Sequence, residues 1–253
     1  MPLVCLGVTQ AEVRGGSASI GQADYWWYRV RGSLLHTVLH PYAAGAADVL
    51  DVGSADGPSV SWLRGDRMHI TLDVDPRGLV PGTGVCGSAL QLPFADESFD
   101  VVGAFDVVEH CEPEADALSE IARVLTPGGR LLMSVPAYQW AWSDFDEQNG
   151  HYRRYTRRRA TTAIESSGLE VLRATYAFTS TFPFFAAERL ARRTKHVLSR
   201  SKAEAADIVP LPQTSPGVDR FLSRLGELDA RLLARRDLPF GSSVVVAARK
   251  PER

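Results

Sequence analysis

Cysteine and lysine are both scarce in this 253-residue chain, at three residues each beside 25 arginines. Cys5, Cys86 and Cys111 are odd in number and widely scattered. The expectation is that they build neither a disulfide framework nor a Cys-x-x-Cys metal site. A reducing, cytoplasmic setting follows as the default. No apolar run reaches the roughly 18 residues of a membrane-spanning helix. The opening MPLVCLGVTQAEVRGG lacks a basic start ahead of a long apolar stretch, so no secretory leader is expected. Excess charge is missing too: the formal net charge is −2, which argues against a general nucleic-acid binder. The preference for arginine over lysine suits a GC-rich genome and says nothing of a substrate. Glycine and proline show no period, which excludes a collagen-like chain. What is present is ample apolar material, 45% of residues against 23% charged. That is enough to offset the entropy of ordering a globular chain, as one large α/β domain or two small ones.

From Asp48 onward the pattern is one of short apolar runs separated by helical stretches. DVLDV (48–52), HITLDV (69–74), DVVGAF (100–105) and RLLMSVP (130–136) read as strands. They are continuous rather than alternating, as expected of parallel strands covered on both faces. Between the last two, Leu118, Ile121, Ala122 and Leu125 recur at helical spacing, with Pro113 at the start and Pro127-Gly128-Gly129 as the stop. Strand, helix and strand at this spacing make a right-handed βαβ unit. A helix over about 156–168, a strand over about 171–177, a mainly helical stretch over about 183–236 and a last strand at 242–250 complete the reading. Leu222, Leu225, Leu228 and Leu232 form an apolar stripe, read as core packing.

The segment VLDVGSADG (49–57) runs from a strand into a turn expected to open a helix over about 57–64. Glycine lets backbone approach a ligand closely because it has no Cβ. Asp73 ends the next strand, where a carboxylate can accept two hydrogen bonds from a ribose diol. A dinucleotide enzyme would show Gly-x-Gly-x-x-Gly against a pyrophosphate. Here the spacing is Gly-x-Ala-x-Gly, with Asp51 two residues ahead of Gly53. An acid there is unfavourable beside a pyrophosphate and favourable beside the ammonium of an amino-acid moiety. A tight turn with no ligand is the plain alternative.

Five segments in order then resemble the motifs of class I S-adenosylmethionine-dependent methyltransferases, over about a third of the chain. They are DVGSADG (51–57), LDVDP (72–76), GSALQLPFADESFDVV (87–102), FDVVEH (105–110) and LTPGGRLLMSVP (125–136). The resemblance implies a Rossmann-like α/β fold, with a mostly parallel seven-stranded sheet, an antiparallel last strand and helices on both faces. It implies S-adenosyl-L-methionine as cofactor; methyl transfer from a sulfonium requires no metal in principle, and the sequence shows no convincing ligand set. It places cofactor binding on Asp51, Gly53, Ser54, Ala55 and Gly57, then on Asp73 and Val74, with Asp73 preferred to Asp75 for the ribose. Ser88, Ala89, Leu90, Phe105, Asp106 and His110 complete the set. Two residues depart from the family pattern. Ala55 stands where the middle glycine is usual, and Ser88 stands where an aspartate usually meets the adenine amino group, a weaker uncharged partner.

The segment PAYQWAWSDFDEQNGHYRRYTRRR (136–159) follows the strand of the fifth motif, on the side where open α/β sheets bind ligands. His151 is the natural general base because imidazole titrates near neutrality, with Asp146 and Tyr155 as further catalytic candidates. Arg153, Arg154 and Trp142 are candidates for holding the acceptor; the alternative for the arginines is ion pairing with Asp144, Asp146 or Glu147. Arg157, Arg158 and Arg159 fall in the first turn of the next helix, where a solvated basic face is the usual reason. Tyr25-Trp26-Trp27-Tyr28 can cover a sulfonium with aromatic faces or pack as an amphipathic helix, and Arg31 is a candidate for the cofactor carboxylate.

The division expected is an N-terminal helical cover over 1–45 and a methyltransferase domain over 46–253, with a helical lid inserted at about 180–240. FPFFAAERLARRTKHVLSR (182–200) begins apolar and turns basic, which suits a lid, peripheral contact with an anionic membrane, or packing on its own domain. The activity expected is methyl transfer to a small-molecule or lipid- or glycan-linked acceptor, at oxygen, with no nucleic-acid partner. The alternative is a catalytically silent cofactor-binding partner or regulatory protein, which Ala55 and Ser88 keep open.

Overall fold

The structure is a computed structural model that describes residues 25–54, 59–77, 79–80, 82–198 and 214–252. Seven strands lie in one sheet in the order β3-β2-β1-β4-β5-β7-β6. The first four in chain order are β1 (Asp48–Val52), β2 (Met68–Asp73), β3 (Gly84–Cys86) and β4 (Phe99–Phe105). They are followed by β5 (Leu125–Pro136), β6 (Glu170–Ala177) and β7 (Ser243–Arg249). β1 pairs in parallel with both β2 and β4, and β4 with β5. β7 runs antiparallel between β5 and β6. This is the expected mostly parallel Rossmann-like sheet, with its last strand reversed.

The continuous apolar runs arise because both faces of the sheet are covered. On one face Leu50, Val102, Leu131 and Met133 pack with Leu118 and Ile121 of α2 (Glu114–Val124) and Ala160 and Ile164 of α4 (Arg157–Ser166). On the other, Val49, Val101, Leu132 and Val245 pack with Leu34, Leu35 and Val38 of α1 (Trp26–Ala43). Each fully buried Leu, Val or Ile of this kind contributes about 1.5–3 kcal/mol. Leu233, at the end of α6 (Pro216–Leu233), joins that second core. A short helix α3 (Asp144–Gln148) and the longer α5 (Phe182–Leu198) complete the set.

Several expectations are corrected. Residues 59–64 form bends and turns rather than a helix, because Ser59 is tied back to Asp51 through its amide and hydroxyl. β3 was not anticipated, since three residues leave no periodic signal. The helix ends at Val124, ahead of the expected stop at Pro127-Gly128-Gly129, because Leu125 is already extended and pairs with Phe99. Cys86 is disulfide-bonded, and Cys111 is a free, buried thiol. No helix among the described residues is long and apolar enough to cross a membrane. Of the expected N-terminal cover, residues 1–24 lie outside the described residues, and so do 199–213 of the expected lid.

Candidate active site

The chain reverses its direction of travel across the sheet between β1 and β4, so a crevice opens outside their carboxyl ends, where open α/β sheets take ligands. Gly53 lies at its floor with φ +75°, a conformation that favours glycine. Its N–H donates to the Leu72 carbonyl at 2.7 Å, and a Cβ on it would collide with the Val107 side chain. Ser54 follows, buried, with a hydroxyl that has no hydrogen-bond partner. Asp51 does not face the crevice as expected. It is fully buried, and its two oxygens accept from the Ser59 amide at 2.6 Å and the Ser59 hydroxyl at 2.9 Å. Burial pushes its pKa up to about 7, against the lowering effect of the Ser59 hydrogen bonds and Arg31. Asp51 therefore braces the turn. Ala55 and Gly57 lie outside the described residues.

Asp73 stands beside this turn at the end of β2, and its Oδ1 accepts from the Asp75 amide at 2.8 Å. Asp75 is committed elsewhere: Arg77 donates to both of its oxygens, at 2.9 and 2.6 Å. Burial opposes ionisation of Asp75, but these bonds outweigh it and hold the carboxyl below its ordinary range. Asp73, with Val74 after it, is the acid that ends β2 beside the turn. Ser88 is buried beyond the end of β3, and its hydroxyl accepts from the Leu90 amide at 3.1 Å. Ala89 is buried beside it. A glycine that cannot carry a side chain, an orphaned buried hydroxyl on Ser54 and a strand-end carboxylate fit a nucleoside with an amino-acid tail.

Phe105 and Asp106 end β4. Phe105 is buried and meets Trp62 edge to face at 6.4 Å. Asp106, at φ 60°, forms a salt bridge with Arg31 at 2.6 Å. Arg31 also lies 5.4 Å from the Trp27 ring and 5.9 Å from that of Phe105, so it is held by Asp106 rather than open to a cofactor carboxylate. Trp27 stacks on Phe178 at 5.9 Å. Of the two readings of the aromatic segment, the helix packed on its own domain is the one observed.

A second group lies just past β4 and joins the loop around 151. Glu109 and His110 occupy a 3-10 turn (Val108–His110), and the Glu109 carbonyl accepts from the Tyr152 amide at 2.8 Å. Glu109 is fully buried, and neither carboxylate oxygen has a hydrogen-bond partner. Burial and then the nearby Asp106 push its pKa well up. His110 is the exposed member of the group. Crowding by surrounding protein and then His151 lower its pKa, against the raising effect of Asp106 and of backbone hydrogen bonds at Gly150 and Asn149. The His110 and His151 rings meet edge to face at 4.6 Å and 88°. His151 Nδ1 lies 2.9 Å from Asp146 Oδ1. Burial alone would raise Asp146, but His151 and Arg154 outweigh it and hold its pKa down. An ionised Asp146 can only accept, so Nδ1 is the donor in this contact, and the neutral tautomer that it selects has its lone pair on Nε2.

The other candidates in this segment have structural partners. Arg154 pairs with Asp146 at 2.7 Å. Arg153 pairs with Glu112 and donates to the Cys111 carbonyl. Both guanidinium groups are buried, so neither is free to clamp an acceptor anion. Tyr155 is corrected in the same way. Its ring fills the core, its hydroxyl donates to Glu114, and burial and then Glu114 raise its pKa far above the phenol range. Trp142 donates to Glu147 at 3.3 Å. Arg157 and Arg158 lie in the first turn of α4, where Arg159 pairs with Glu114 at 3.2 Å. Sequence reasoning missed the role of Arg189. From α5 it donates to Ser143 and approaches Asp146 at 3.9 Å, with Phe145 and Phe185 on its faces. It also missed an aromatic cluster of Tyr138, Trp140, Tyr176 and Phe182 beyond β5. The density of aromatics in 138–142 and 182–185 was its only trace.

A methyltransferase-domain family model matches residues 50–133. A probable S-adenosylmethionine-dependent methyltransferase of Mycolicibacterium smegmatis is 31% identical over 166 residues, 60% of this chain and 62% of that protein. A malonyl-acyl-carrier-protein O-methyltransferase of Herminiimonas arsenicoxydans is 38% identical over 101 residues, 37% of this chain and 38% of that one. The chain thus spans less than two thirds of either curated relative. The fold is also that of N-methyltransferase NodS from Bradyrhizobium japonicum WM9, solved with S-adenosyl-l-homocysteine, at TM-score 0.52 and 14% identity, covering 92% of this chain and 91% of that one.

Proposed function

Through residues 50–133 the chain belongs to the class I S-adenosylmethionine-dependent methyltransferases, and from that we propose that it methylates an oxygen of a small-molecule or lipid- or glycan-linked acceptor. The observation that carries the oxygen reading is His151, held through Nδ1 by an ionised Asp146 beside the end of β4. S-adenosylmethionine supplies a methyl group already activated on a sulfonium sulfur, so the protein's task is positioning, exclusion of water and handling of one proton. Gly53 and Ser54 let backbone and a hydroxyl reach the amino-acid portion. Asp73 takes the ribose diol. His151 Nε2 accepts the proton of an acceptor hydroxyl, with Asp146 fixing the tautomer and Arg154 keeping Asp146 charged. The similarity to an O-methyltransferase supports this choice of atom. Arg189 seats α5 against Ser143 and Asp146, in keeping with a cover over the acceptor. Phe184 and Phe221 meet edge to face at 6.1 Å with both rings exposed, an apolar outer face suited to a lipid-linked acceptor or a membrane surface. His151→Ala should lower turnover at least about a hundredfold with cofactor affinity retained. A loss below about threefold removes His151 from the mechanism.

A further inference from the structure

Glu109, His110 and His151 offer one carboxylate oxygen and two imidazole nitrogens, all within 4.8 Å of one another. Sequence spacing hid this set, because His151 lies 41 residues beyond His110. Glu109 is completely buried, yet neither of its oxygens is hydrogen-bonded. A buried carboxylate without a partner is costly, and a cation answers the cost directly. The second shell is in place as well. A metal-bound histidine usually gives its other ring N–H to a carboxylate, and His151 does so to Asp146, itself held by Arg154. Two imidazoles and one carboxylate suit a divalent first-row transition ion and leave open positions on it. Ligand distances near ~2.1 Å put ligand atoms about 3–3.5 Å apart. Closing the set around an ion therefore needs inward movement of about an ångström, which the unpartnered Glu109 side chain can supply.

We propose that Glu109, His110 and His151 bind one divalent transition-metal ion. The site rests on these side chains alone; its consequence for catalysis rests on the methyl-transfer reading. The ion's open positions would take the acceptor oxygen. A hydroxyl bound there gives its proton to water. The oxygen–carbon bond then forms as the sulfonium C–S bond breaks, and the sulfur keeps the electron pair as a neutral thioether. With the ion bound, His151 Nε2 is a ligand and water takes the proton; in the metal-free protein the same nitrogen is the base.

The test uses the untagged full chain, stripped with a chelator, and titrated with Zn2+ by calorimetry and Co2+ by visible absorption. The expected result is one ion per chain, cobalt bands that report nitrogen and oxygen ligands, and binding at least tenfold weaker in Glu109→Gln and in His110→Ala. Asp146→Asn should weaken binding about tenfold through the second shell. S-adenosylhomocysteine is titrated in parallel into the parent chain, and circular dichroism with thermal melting shows whether each variant is folded. The absence of stoichiometric binding, or affinity unchanged in both Glu109→Gln and His110→Ala, overturns the site. Metal binding with no S-adenosylhomocysteine binding would instead retain the site and remove the methyl-transfer reading.

Discussion

Glu109 and Asp51 are fully buried acids whose pKa values burial pushes up, and each makes a prediction. Glu109 has no hydrogen-bond partner on either oxygen and burial pushes its pKa well up, so folding at neutral pH must take up a proton there, a cost that an amide isostere does not carry. Glu109→Gln should raise the stability of the metal-free protein by about 1–3 kcal/mol, read as a higher Tm in chelator. A lower Tm there would mean that the carboxylate has a protein partner. Asp51 has a folded pKa of about 7, above an unfolded value of about 3.9. The folded state therefore binds the extra proton. The associated stability is fully present below about pH 4 and is lost as pH rises through about 7. Tm should fall between pH 5 and pH 8, and Asp51→Asn should flatten that slope; an unchanged slope would contradict the burial argument. At this scale, Gly53, Asp73 and Asp51 were visible in the sequence because a turn and a strand end need those residue types. Whether a buried acid finds a partner depends on residues dozens of positions away. That is why the bracing role of Asp51, the isolation of Glu109 and the pairing of Arg153, Arg154 and Tyr155 were not visible.

At the scale of elements, the strands and helices covered on both faces were legible because burial writes continuous apolar runs and 3.6-residue stripes. β3 and the turns at 59–64 were not, since the first is too short for a period and the second is set by Asp51 at a distance. The packing of α6 on α1 was equally hidden. It depends on Gly226, buried in α6 at a point where a Cβ would collide with Val30. Val30 is β-branched and cannot swing aside cheaply. Gly226→Val should therefore cost about 1–3 kcal/mol and lower Tm in thermal unfolding. A variant as stable as the parent would show that α6 is not seated as described. Arg189 links the other covering helix to the site through Ser143. Its replacement by alanine should reduce turnover more than cofactor affinity, measured by kinetics and calorimetry together; equal losses would place its role in folding instead.

At the scale of the whole molecule, the sheet order sets where chemistry can occur. The crevice between β1 and β4 gathers Gly53, Ser54 and Asp73 on one side and Asp106 on the other. The Glu109, His110 and His151 group lies immediately beyond β4. The cofactor half of this arrangement was legible because five motifs follow one another along the chain in the order the strands demand. The acceptor half was not, because it is assembled from the turn after β4, the loop after β5 and the covering helix α5. The most direct measurement is a calorimetric titration of the full chain with S-adenosylhomocysteine, with NAD as the control. The account predicts micromolar binding of the first, no binding of the second, and a loss of about 1.5–3 kcal/mol in Asp73→Ala, the scale of a charge-assisted hydrogen bond. Binding of NAD in place of S-adenosylhomocysteine, or of neither, would contradict it.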